Sequence, residues 1–536
     1  MSSLVTLPSS SFFLSEYLTD KIVIGNFTER QFNYALNAKN IAALNLAVKQ
    51  LEPSGNQWLN LHRTLATTQG TSAITLGKYY LKLAKGKHNS PEINTAVMWF
   101  NQAIRLGFEL GNLELAKLYF EQGNISLAEQ HLTKFSSVRS NTQSMVLAIK
   151  IAIYHGELKE IKRGVATLRN SNQSQSSGIS ADSENQKQLL LDIHHFNILT
   201  NMQSDTLEKQ VGTTKATKIN NDSSNNEFSL CTSSLQLFAT NLSHLKHLEK
   251  LINEFTKHQP LSDFICLPAP RYISKKQLSC DSFVEQAISC DESLWQKVAD
   301  SIETRHVGLM LEKGGANVHF GILYFDKNDD VNVFSHEVSH LLGFVDEYPL
   351  VETHLKCQKV QTQPFSHNIV TLKNYYQGRM SEVRQHVLTS VPWAKLIDET
   401  TPILTSVKLD GIEGSFWKVE TPESYAGRVG LFRAETCDQA RASHQETKKQ
   451  VLKGFNAFKP VHEVSQLRYF SHKFPAQYIT QLKSAPSDFL MPSFHYNIGL
   501  ALYHKGKAKQ AAPWFHQAAG WELSKPKSSM IMQGQF

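Results

Sequence analysis

Residues 331–350 read VNVFSHEVSHLLGFVDEYPL, and this stretch decides how the central part of the chain is interpreted. His336 and His340 are four residues apart, so on a helix both imidazoles project from one face and can reach a single metal ion. An apolar stripe at helical spacing occupies the opposing face and consists of Phe334, Val338, Leu341 and Leu342. The stretch therefore predicts an amphipathic helix that buries one face and presents two histidines on the other.

The two histidines and the glutamate between them suit a catalytic zinc ion. Two neutral imidazoles and one carboxylate leave a fourth tetrahedral position for water, which is the open coordination of a catalytic site. Glu337 directly follows the first histidine and is the predicted general base, taking a proton from that water and delivering it to the leaving amine. The HExxH motif thus predicts a metallopeptidase with Zn²⁺ as its cofactor.

The third metal ligand is open between several residues that follow the helix. Gly343 can end the helix in a left-handed turn, after which Asp346 falls at the third-ligand position of HExxHxxGxxD, the metzincin spacing with Asp in place of His. Glu347 is the rival carboxylate, and His354 and His367 are weaker candidates further along the chain. We expect the carboxylate that is not a ligand to orient one of the liganding histidines.

The stretch HEVSHLLGFVDEY, an HExxH helix followed at once by Asp-Glu-Tyr, resembles the IgA-specific metalloendopeptidase family. Shorter similarities lie in NIVT at 368–371, VPWAKLI at 391–397 and VGLF at 429–432, so the resemblance covers roughly residues 305–440. It implies a zinc-dependent endopeptidase of zincin-like fold, with the two histidines as ligands, the glutamate as base and the Asp-Glu-Tyr turn at the metal. It carries no expectation about which protein is cleaved.

Further residues near the motif are candidates for the site. Tyr348 is a candidate hydrogen-bond donor to the oxyanion of the tetrahedral intermediate, and Tyr425 is a weaker one. The segment GGANVHFGILYFD at 314–326 is interpreted either as an edge strand that aligns the substrate backbone or as an interior strand. Met380 is interpreted as a core residue, with a position beneath the metal, as in a Met-turn, as the alternative. His306 and His319 lie in predicted strands and are interpreted as structural histidines with satisfied hydrogen bonds.

Residues 1–168 have the pattern of an α-helical repeat domain. From about residue 30 to 165 apolar residues recur with helical period, and glycines such as Gly107 and Gly123 stand where one helix would end and the next begin. Small residues at such points let neighbouring helices approach closely. The region resembles Sel1-like and tetratricopeptide repeats, and the alternative is a set of generic amphipathic helix pairs.

The same pattern returns in residues 441–536, where YNIGLALYHKGKAKQAAPWFHQAA has glycine, alanine and aromatic residues in the same order. We therefore expect a second, tetratricopeptide-like repeat region at the C-terminal end. Residues 169–227 contain two polar segments, 170–186 and 213–227, which are typical of linkers and flank one predicted helix.

Residues 228–440 differ in character and predict a mixed α/β domain. Stretches rich in β-branched and aromatic residues are interpreted as strands. They are HVGLML at 306–311, VHFGILYF at 318–325, SVKLDGI at 406–412 and GRVGLF at 427–432. The predicted architecture is multidomain, with Sel1/tetratricopeptide-like helical regions flanking a zincin-like α/β metallopeptidase domain.

Composition restricts the class of partner. Of 536 residues, 41% are hydrophobic and 19% are charged, which is ordinary for a globular protein. The 55 Lys and Arg against 48 Asp and Glu give a net charge of +7 that is spread along the chain, so no nucleic-acid partner is predicted. No apolar stretch approaches the roughly 18 residues of a spanning helix, so no transmembrane segment is predicted.

Cysteine usage leaves the compartment open. All six cysteines lie in the central part of the chain, at Cys231, Cys266, Cys280, Cys290, Cys357 and Cys437. No pair has C-x-x-C spacing, and the even count fits either disulfides in an oxidising compartment or buried thiols. The first twenty residues lack a signal-peptide pattern, which favours the cytoplasm by default, while the cysteine clustering leaves a periplasmic or secreted location open.

The sequence as a whole predicts a zinc-dependent metalloendopeptidase that hydrolyses peptide bonds in a protein or peptide substrate. The helical repeats would bind a protein partner or the substrate. One alternative is a non-catalytic repeat scaffold with a structural or vestigial metal site. The other is a zinc amidase that acts on cell-wall peptides.

Overall fold

The computed structural model describes residues 16–17, 19–21, 24, 27–48, 51–84, 90–138, 141–173, 181–199, 231–281, 283, 286–350, 365–408, 415–436 and 455–536. The chain divides into two compact units. The helical unit comprises Met1–Ile153 and Glu157–Leu191, and the α/β unit comprises Tyr154–Gly156 and Asp192–Phe536. The mixed helix-and-sheet class predicted from sequence is confirmed. Every helix within the described ranges is too short or too polar to cross a lipid bilayer.

The helical unit consists of successive α-helices joined by short turns. They are α1 (Glu29–Asn37), α2 (Ile41–Ala47), α3 (Asn56–Leu65), α4 (Gly70–Ala84), α5 (Pro91–Arg105), α6 (Leu110–Glu121), α7 (Ile125–Thr133), α8 (Thr142–His155), α9 (Leu158–Gln173) and α10 (Ala181–His195). Gly107 and Gly123 follow α5 and α6 with a φ of 76° each, a left-handed conformation that glycine adopts without strain. The predicted helix-ending role of these glycines is confirmed.

Small residues bring α4 and α5 into close contact. A Cβ added at Gly77 would lie 2.3 Å from the ring of Phe100, which is fully buried. Any larger residue at this position would push the two helices apart. The close approach predicted from the small residues is therefore observed between these neighbours.

Part of the polar segment 170–186 is helical, and the prediction of a linker there is wrong for that part. α9 continues to Gln173 and α10 begins at Ala181. Gln186 is buried, and its side-chain amide donates a hydrogen bond of 2.8 Å to the backbone oxygen of Leu168. A polar side chain satisfied in this way can pack inside, which composition alone does not reveal. The second predicted linker, 213–227, lies outside the described residues.

The α/β unit contains short strands interleaved with helices. The strands are β1 (Ser233–Ala239), β2 (Ile265–Cys266), β3 (Arg271–Tyr272), β4 (Cys280–Asp281), β5 (Ser289–Cys290), β6 (His306–Leu311), β7 (Asn317–His319), β8 (Ile322–Asp326), β9 (Val370–Lys373), β10 (Tyr375–Gln377), β11 (Leu404–Val407), β12 (Phe416–Val419), β13 (Phe432–Ala434) and β14 (Phe455–Lys459). The α-helices are α11 (Leu242–His258), α12 (Val331–Leu341), α13 (Met380–Leu388), α14 (Ala476–Ser484), α15 (Phe494–His504), α16 (Ala508–Gly520) and α17 (Lys525–Met532).

The largest sheet has the strand order β2-β1-β6-β8-β7, and β3 also pairs with β1. Val307 of β6 lies opposite Gln236 of β1 and Ile322 of β8, in parallel pairings on both sides. β7 runs antiparallel to β8 at one end of this order. The smaller sheets have the orders β10-β12-β11, β13-β14-β9 and β4-β5. β6 is buried on both faces, as its uninterrupted apolar sequence indicates.

The strand predictions are correct in part. The strand at 306–311 coincides with β6, whereas the single strand predicted at 318–325 is a hairpin of β7 and β8 with a tight turn at Phe320 and Gly321. Both turn residues have positive φ, which lets two residues reverse the chain. Of 427–432 only Phe432 is in a strand, and β11 covers the start of 406–412, whose residues from 409 on lie outside the described part of the chain.

The C-terminal helices belong to the α/β unit, which differs from the separate repeat region predicted for 441–536. Phe494 and Tyr496 of α15 lie in one hydrophobic core with Leu309 of β6 and Tyr324 of β8. In addition, β14 pairs with both β9 and β13. Helical periodicity shows that one face of a helix is apolar, but it does not show what that face packs against.

Two disulfides lie in the α/β unit and join Cys231 to Cys266 and Cys280 to Cys290. Cys357 and Cys437 lie outside the described residues. For the four described cysteines the structure favours disulfides over buried thiols. Such bonds persist in oxidising compartments, so this pairing supports the periplasmic or secreted alternative.

Candidate metal centre

Helix α12 carries the two histidines of the motif and forms as the sequence predicts. The Asp330 carboxylate caps it by accepting hydrogen bonds from two backbone N–H groups of the first turn. The ring of Phe334 lies 5.2 Å from that of Phe255 in α11 and 5.6 Å from that of Phe325 in β8. The apolar face therefore anchors the helix against the neighbouring helix and the large sheet.

Both histidine rings are buried and each is held by a backbone carbonyl. Nδ1 of His336 lies 3.0 Å from the oxygen of Gln466, and Nδ1 of His340 lies 3.1 Å from the oxygen of Phe344. A carbonyl oxygen only accepts, so each Nδ1 carries the ring proton and donates it. The two Nε2 atoms face each other and are 3.1 Å apart.

Asp346 completes a triangle with the two histidines. Gly343 ends the helix with a φ of 95°, and a Cβ there would lie 2.5 Å from the backbone oxygen of Phe489. Only glycine fits this turn, as predicted from the spacing. The turn returns the chain so that Oδ1 of Asp346 lies 3.1 Å from Nε2 of His336 and 3.2 Å from Nε2 of His340.

The size and chemistry of this triangle fit a zinc ion. Tetrahedral zinc with nitrogen and oxygen ligands at 2.0–2.2 Å places its ligand atoms about 3.3–3.5 Å apart, close to the 3.1–3.2 Å edges found here. With both rings neutral, all three atoms are acceptors. Such a group is stable in a buried site when a cation or a proton is shared among its members. Two imidazoles and a carboxylate are a donor set that zinc prefers.

The Glu337 carboxylate lies beside the two histidines. One of its oxygens and one ring nitrogen each of His336 and His340 lie within 4.8 Å of one another. Glu337 is itself buried. Burial, together with neighbouring negative charges that include Glu337, raises the pKa of Asp329 to about 6. The position of Glu337 suits a base acting on a molecule bound between the histidines.

Tyr348, at the end of the turn, lies beside the triangle of His336, His340 and Asp346. Its hydroxyl forms a hydrogen bond with the Asp346 carboxylate. Burial and the negative charges of Asp346 and Glu337 raise the pKa of the phenol, which therefore stays protonated at neutral pH. The residue is 39% exposed, so Tyr348 connects the buried triangle with the protein surface.

The structure places Glu347, the rival ligand, away from the triangle. Its oxygens bind the Lys459 ammonium at 2.9 Å and the Tyr478 hydroxyl at 2.5 Å. The expectation that the second carboxylate orients a histidine is also not met. Carbonyl oxygens hold both Nδ1 atoms, and both Nε2 atoms face Asp346.

His367 is a packed core histidine and not part of the triangle. Its fully buried ring lies 5.1 Å from the ring of Phe344 and 4.9 Å from that of Phe489. Burial lowers its pKa to about 4, so the ring is neutral at physiological pH. The other histidine candidate, His354, lies outside the described residues.

The remaining candidates lie elsewhere in the α/β unit. His306 is fully buried in β6, and burial lowers its pKa well below the usual value, which is typical of a structural histidine. His319, at the end of β7, is hydrogen-bonded by an amide side chain of α15. Met380 is 50% exposed at the start of α13, so its interpretation as a core residue is wrong. Tyr425 packs beside a neighbouring arginine.

Sequence reasoning missed the residues that surround the triangle from far along the chain. Gln466 supplies the carbonyl that holds His336, 130 positions earlier. Phe470 lies against the His336 ring with the centroids 4.8 Å apart, and 44% of it is exposed. Lys459 and Tyr478 hold the rival carboxylate. No local pattern marks these residues, because the contacts form only when distant segments fold together.

Known proteins offer no guide to this arrangement. Comparison of the chain with protein-family models, with curated proteins and with solved structures finds no match in any of the three. The chemistry of the site residues therefore carries the functional argument.

Proposed function

We propose that the protein is a zinc-dependent metalloendopeptidase. The proposal rests on one observation, which is the convergence of His336 Nε2, His340 Nε2 and Asp346 Oδ1 within 3.1–3.2 Å of one another. These three residues are the proposed zinc ligands. Glu347, the alternative ligand, is bound by other groups.

Two further residues have proposed roles in the reaction. Zinc in such a site lowers the pKa of a bound water towards about 7 and polarises a scissile carbonyl. Glu337 takes the proton of the attacking water and passes it to the leaving amine. Tyr348 turns its hydroxyl from Asp346 towards the developing oxyanion and donates a hydrogen bond to it.

Strand β7 is the proposed docking edge for the substrate backbone. It lies at one end of the large sheet, and α12 contacts both β7 and β8. An edge strand offers backbone N–H and C=O groups to an extended peptide. We propose on the same ground a zincin-like fold for the α/β unit. The resemblance to IgA-specific metalloendopeptidases stays a prediction.

The first test combines zinc content with cleavage of a mixed peptide library. We expect about one zinc per chain in the wild type and in Glu337→Gln, and none in His336→Ala. Glu337→Gln should lower kcat/KM by about 10²–10⁴-fold, because it removes the general base and leaves the ligands. Glu522→Gln, a buried carboxylate in an ion pair with Arg305, is the matched control and should keep both zinc and activity.

Three outcomes would contradict the proposal. Full activity in Glu337→Gln would remove that residue from the mechanism. Zinc without cleavage in the wild type would favour the non-catalytic scaffold. Cleavage of isolated cell-wall fragments but not of the peptide library would favour the zinc amidase.

The helical unit is the proposed binding site for a protein partner or for the substrate. Its helices pack on their sequence neighbours, as in repeat proteins that bind partners along an extended surface. A chain that begins at Thr142 lacks α1–α7 and keeps every segment of the α/β unit, so it should cleave short peptides normally and bind the partner or protein substrate more weakly. Unchanged binding in this chain would contradict the proposal.

A further inference from the structure

The turn that carries Asp346 is held by hydrogen bonds to its backbone on both sides of that residue. The Asn368 side chain accepts from the Val345 N–H at 3.0 Å and donates to the Val345 oxygen at 2.9 Å. The Thr436 hydroxyl donates to the Asp346 oxygen, and the N–H of the next residue donates to the Leu467 oxygen at 3.0 Å. The described anchors come from three distant parts of the chain.

The Glu347 side chain is the centre of a second set of anchors. Its Oε2 lies 2.9 Å from Nζ of Lys459, while Oε1 accepts from the Tyr478 hydroxyl at 2.5 Å and from the Asn368 amide at 3.4 Å. Lys459 also donates to the backbone oxygen of Glu463 at 2.8 Å. The Glu347 and Lys459 side chains are only 1% and 9% exposed, so this is a buried, fully paired ion pair.

Stability alone is a weak reason for such an ion pair. Removing two charges from water costs several kcal/mol per ion, and an apolar pair of similar volume is often as stable. What the paired charges do provide is a fixed geometry, because the carboxylate is bound from several directions at once. Glu347, whose side chain is fixed in this way, directly follows Asp346, the third ligand of the proposed metal site.

The triangle of acceptors explains why fixed geometry is needed. Three ligand atoms this close together are favourable only with a cation or a proton between them. The histidines are on a helix and cannot separate easily, whereas Asp346 is on a turn and could swing away. A turn held in place before zinc arrives avoids the cost of reordering when zinc binds.

We infer that Glu347 is a positioning residue for the metal site: bound by Lys459, Tyr478 and Asn368, it holds the turn so that Asp346 faces the two histidines. This inference rests on the proposed zinc site. In this role the Glu347 carboxylate holds the backbone that carries the proposed ligand and does not orient a histidine.

Zinc affinity, measured by competition with a chromophoric chelator on the full chain, tests the inference. Loss of such supporting contacts weakens metal binding by about 10–100-fold, and we expect a loss in this range for Glu347→Gln and Lys459→Met. Tyr478→Phe removes a single hydrogen bond and should cause a smaller loss. The visible spectrum of the Co²⁺-loaded protein should change in the same variants, because it reports ligand geometry.

Two controls separate positioning from general stability. Glu522→Gln disrupts another buried ion pair, that with Arg305, and should lower the melting temperature of the metal-free protein but keep zinc affinity within twofold of wild type. The double variant Glu347→Gln/Lys459→Met leaves no unpaired charge, so its melting temperature should recover while its zinc affinity stays low.

The outcomes distinguish the inference from the proposed function. A wild type that binds no zinc overturns the zinc site itself. Wild-type zinc affinity in Glu347→Gln or in the double variant overturns only the inference. An equal loss of zinc affinity in Glu522→Gln also overturns it, because the effect would then come from general destabilisation.

Discussion

Two buried polar clusters in the α/β unit differ in how their donors and acceptors balance. The Arg305 guanidinium donates to the oxygens of Met491 and Trp521 and to Glu522, whose carboxylate also binds Lys527 at 3.0 Å. Every charge there faces an opposite charge or a carbonyl. This cluster is complete as a structural element.

The cluster of His336, His340 and Asp346 is equally buried but consists of acceptors that face one another. Neither ring can supply a proton to the triangle without becoming charged, because each already donates its Nδ1 proton to a carbonyl. The comparison shows that burial of polar groups does not indicate a ligand site by itself. An excess of acceptors that a cation or a shared proton must balance does indicate one.

The largest expected effect is on zinc affinity. Asp346→Ala should weaken zinc binding by about 10³–10⁴-fold, about a third of the 10–16 kcal/mol that a structural zinc site provides. Arg305→Met should leave zinc binding unchanged. Chelator competition measures both, and equal zinc affinity in Asp346→Ala and the wild type would show that the triangle is not a metal site.

The next effect is on the stability of the metal-free protein, which should depend more on the Arg305 cluster than on the histidine–aspartate cluster. Arg305→Met leaves Glu522 with half of its partners and should lower the free energy of unfolding by about 3 kcal/mol. Asp346→Ala relieves the crowding of three acceptor atoms but leaves the Tyr348 hydroxyl without this acceptor, so we expect a smaller loss of stability than in Arg305→Met. Denaturant unfolding in the presence of chelator measures the difference, and a large loss in Asp346→Ala would mean that this cluster is also a balanced one.

The smallest expected effect concerns the pH dependence of stability and a buried histidine next to the proposed metal-binding turn. Burial lowers the pKa of His367 to about 4 in the folded protein, against an ordinary value of 6.5. Below pH 6.5 the unfolded chain therefore binds a proton that the folded protein does not, and stability falls as the pH falls. Between pH 7 and pH 5 this histidine should lower the free energy of unfolding by about 2 kcal/mol.

The comparison of His367→Leu with the wild type isolates this contribution. The variant should lose less stability than the wild type over the same pH range, while other buried histidines contribute equally to both proteins. Zinc affinity should stay as in the wild type. Parallel stability curves would show that His367 is charged or exposed, and loss of zinc would return it to the candidate ligands.

The sequence predicted the local part of the site correctly. Helix α12, the convergence of His336 and His340, and the glycine that ends the helix all follow from spacing within thirteen residues, 331–343. Asp346 was the preferred candidate for the third metal ligand, because it follows the turn at the metzincin spacing. These features depend on backbone geometry over one or two helical turns, which neighbouring residues largely determine.

The sequence did not predict what the second carboxylate does. Asp346 and Glu347 are adjacent and chemically alike, so no local rule separates the proposed ligand from the residue proposed to position it. The difference comes from Lys459 and Tyr478, 112 and 131 residues further on. Their positions depend on the pairing of β14 with β9 and on the packing of α14, which the sequence pattern does not specify.

The C-terminal helices show the same limit at the level of domains. Their glycine, alanine and aromatic pattern predicted helices that approach closely, and Gly499 of α15 does lie against Phe515 of α16. The same pattern also predicted a separate repeat region, yet α15 shares its core with β6 and β8. Periodicity describes one face of an element, whereas the partner of that face is chosen by the shape of the whole unit.

The sequence by itself determined that residues 331–341 form a helix, that one face of it is apolar and that two histidines share the other. Only the tertiary structure decided that Asp346 is the residue facing them, that Glu347 is turned to Lys459, and that the carbonyls of Gln466 and Phe344 fix the histidine rings. The physical reason is the separation along the chain of the residues that make the stabilising contacts. A helix is stabilised by contacts three and four residues apart, whereas a buried polar site requires every donor and acceptor to be matched by groups from distant segments.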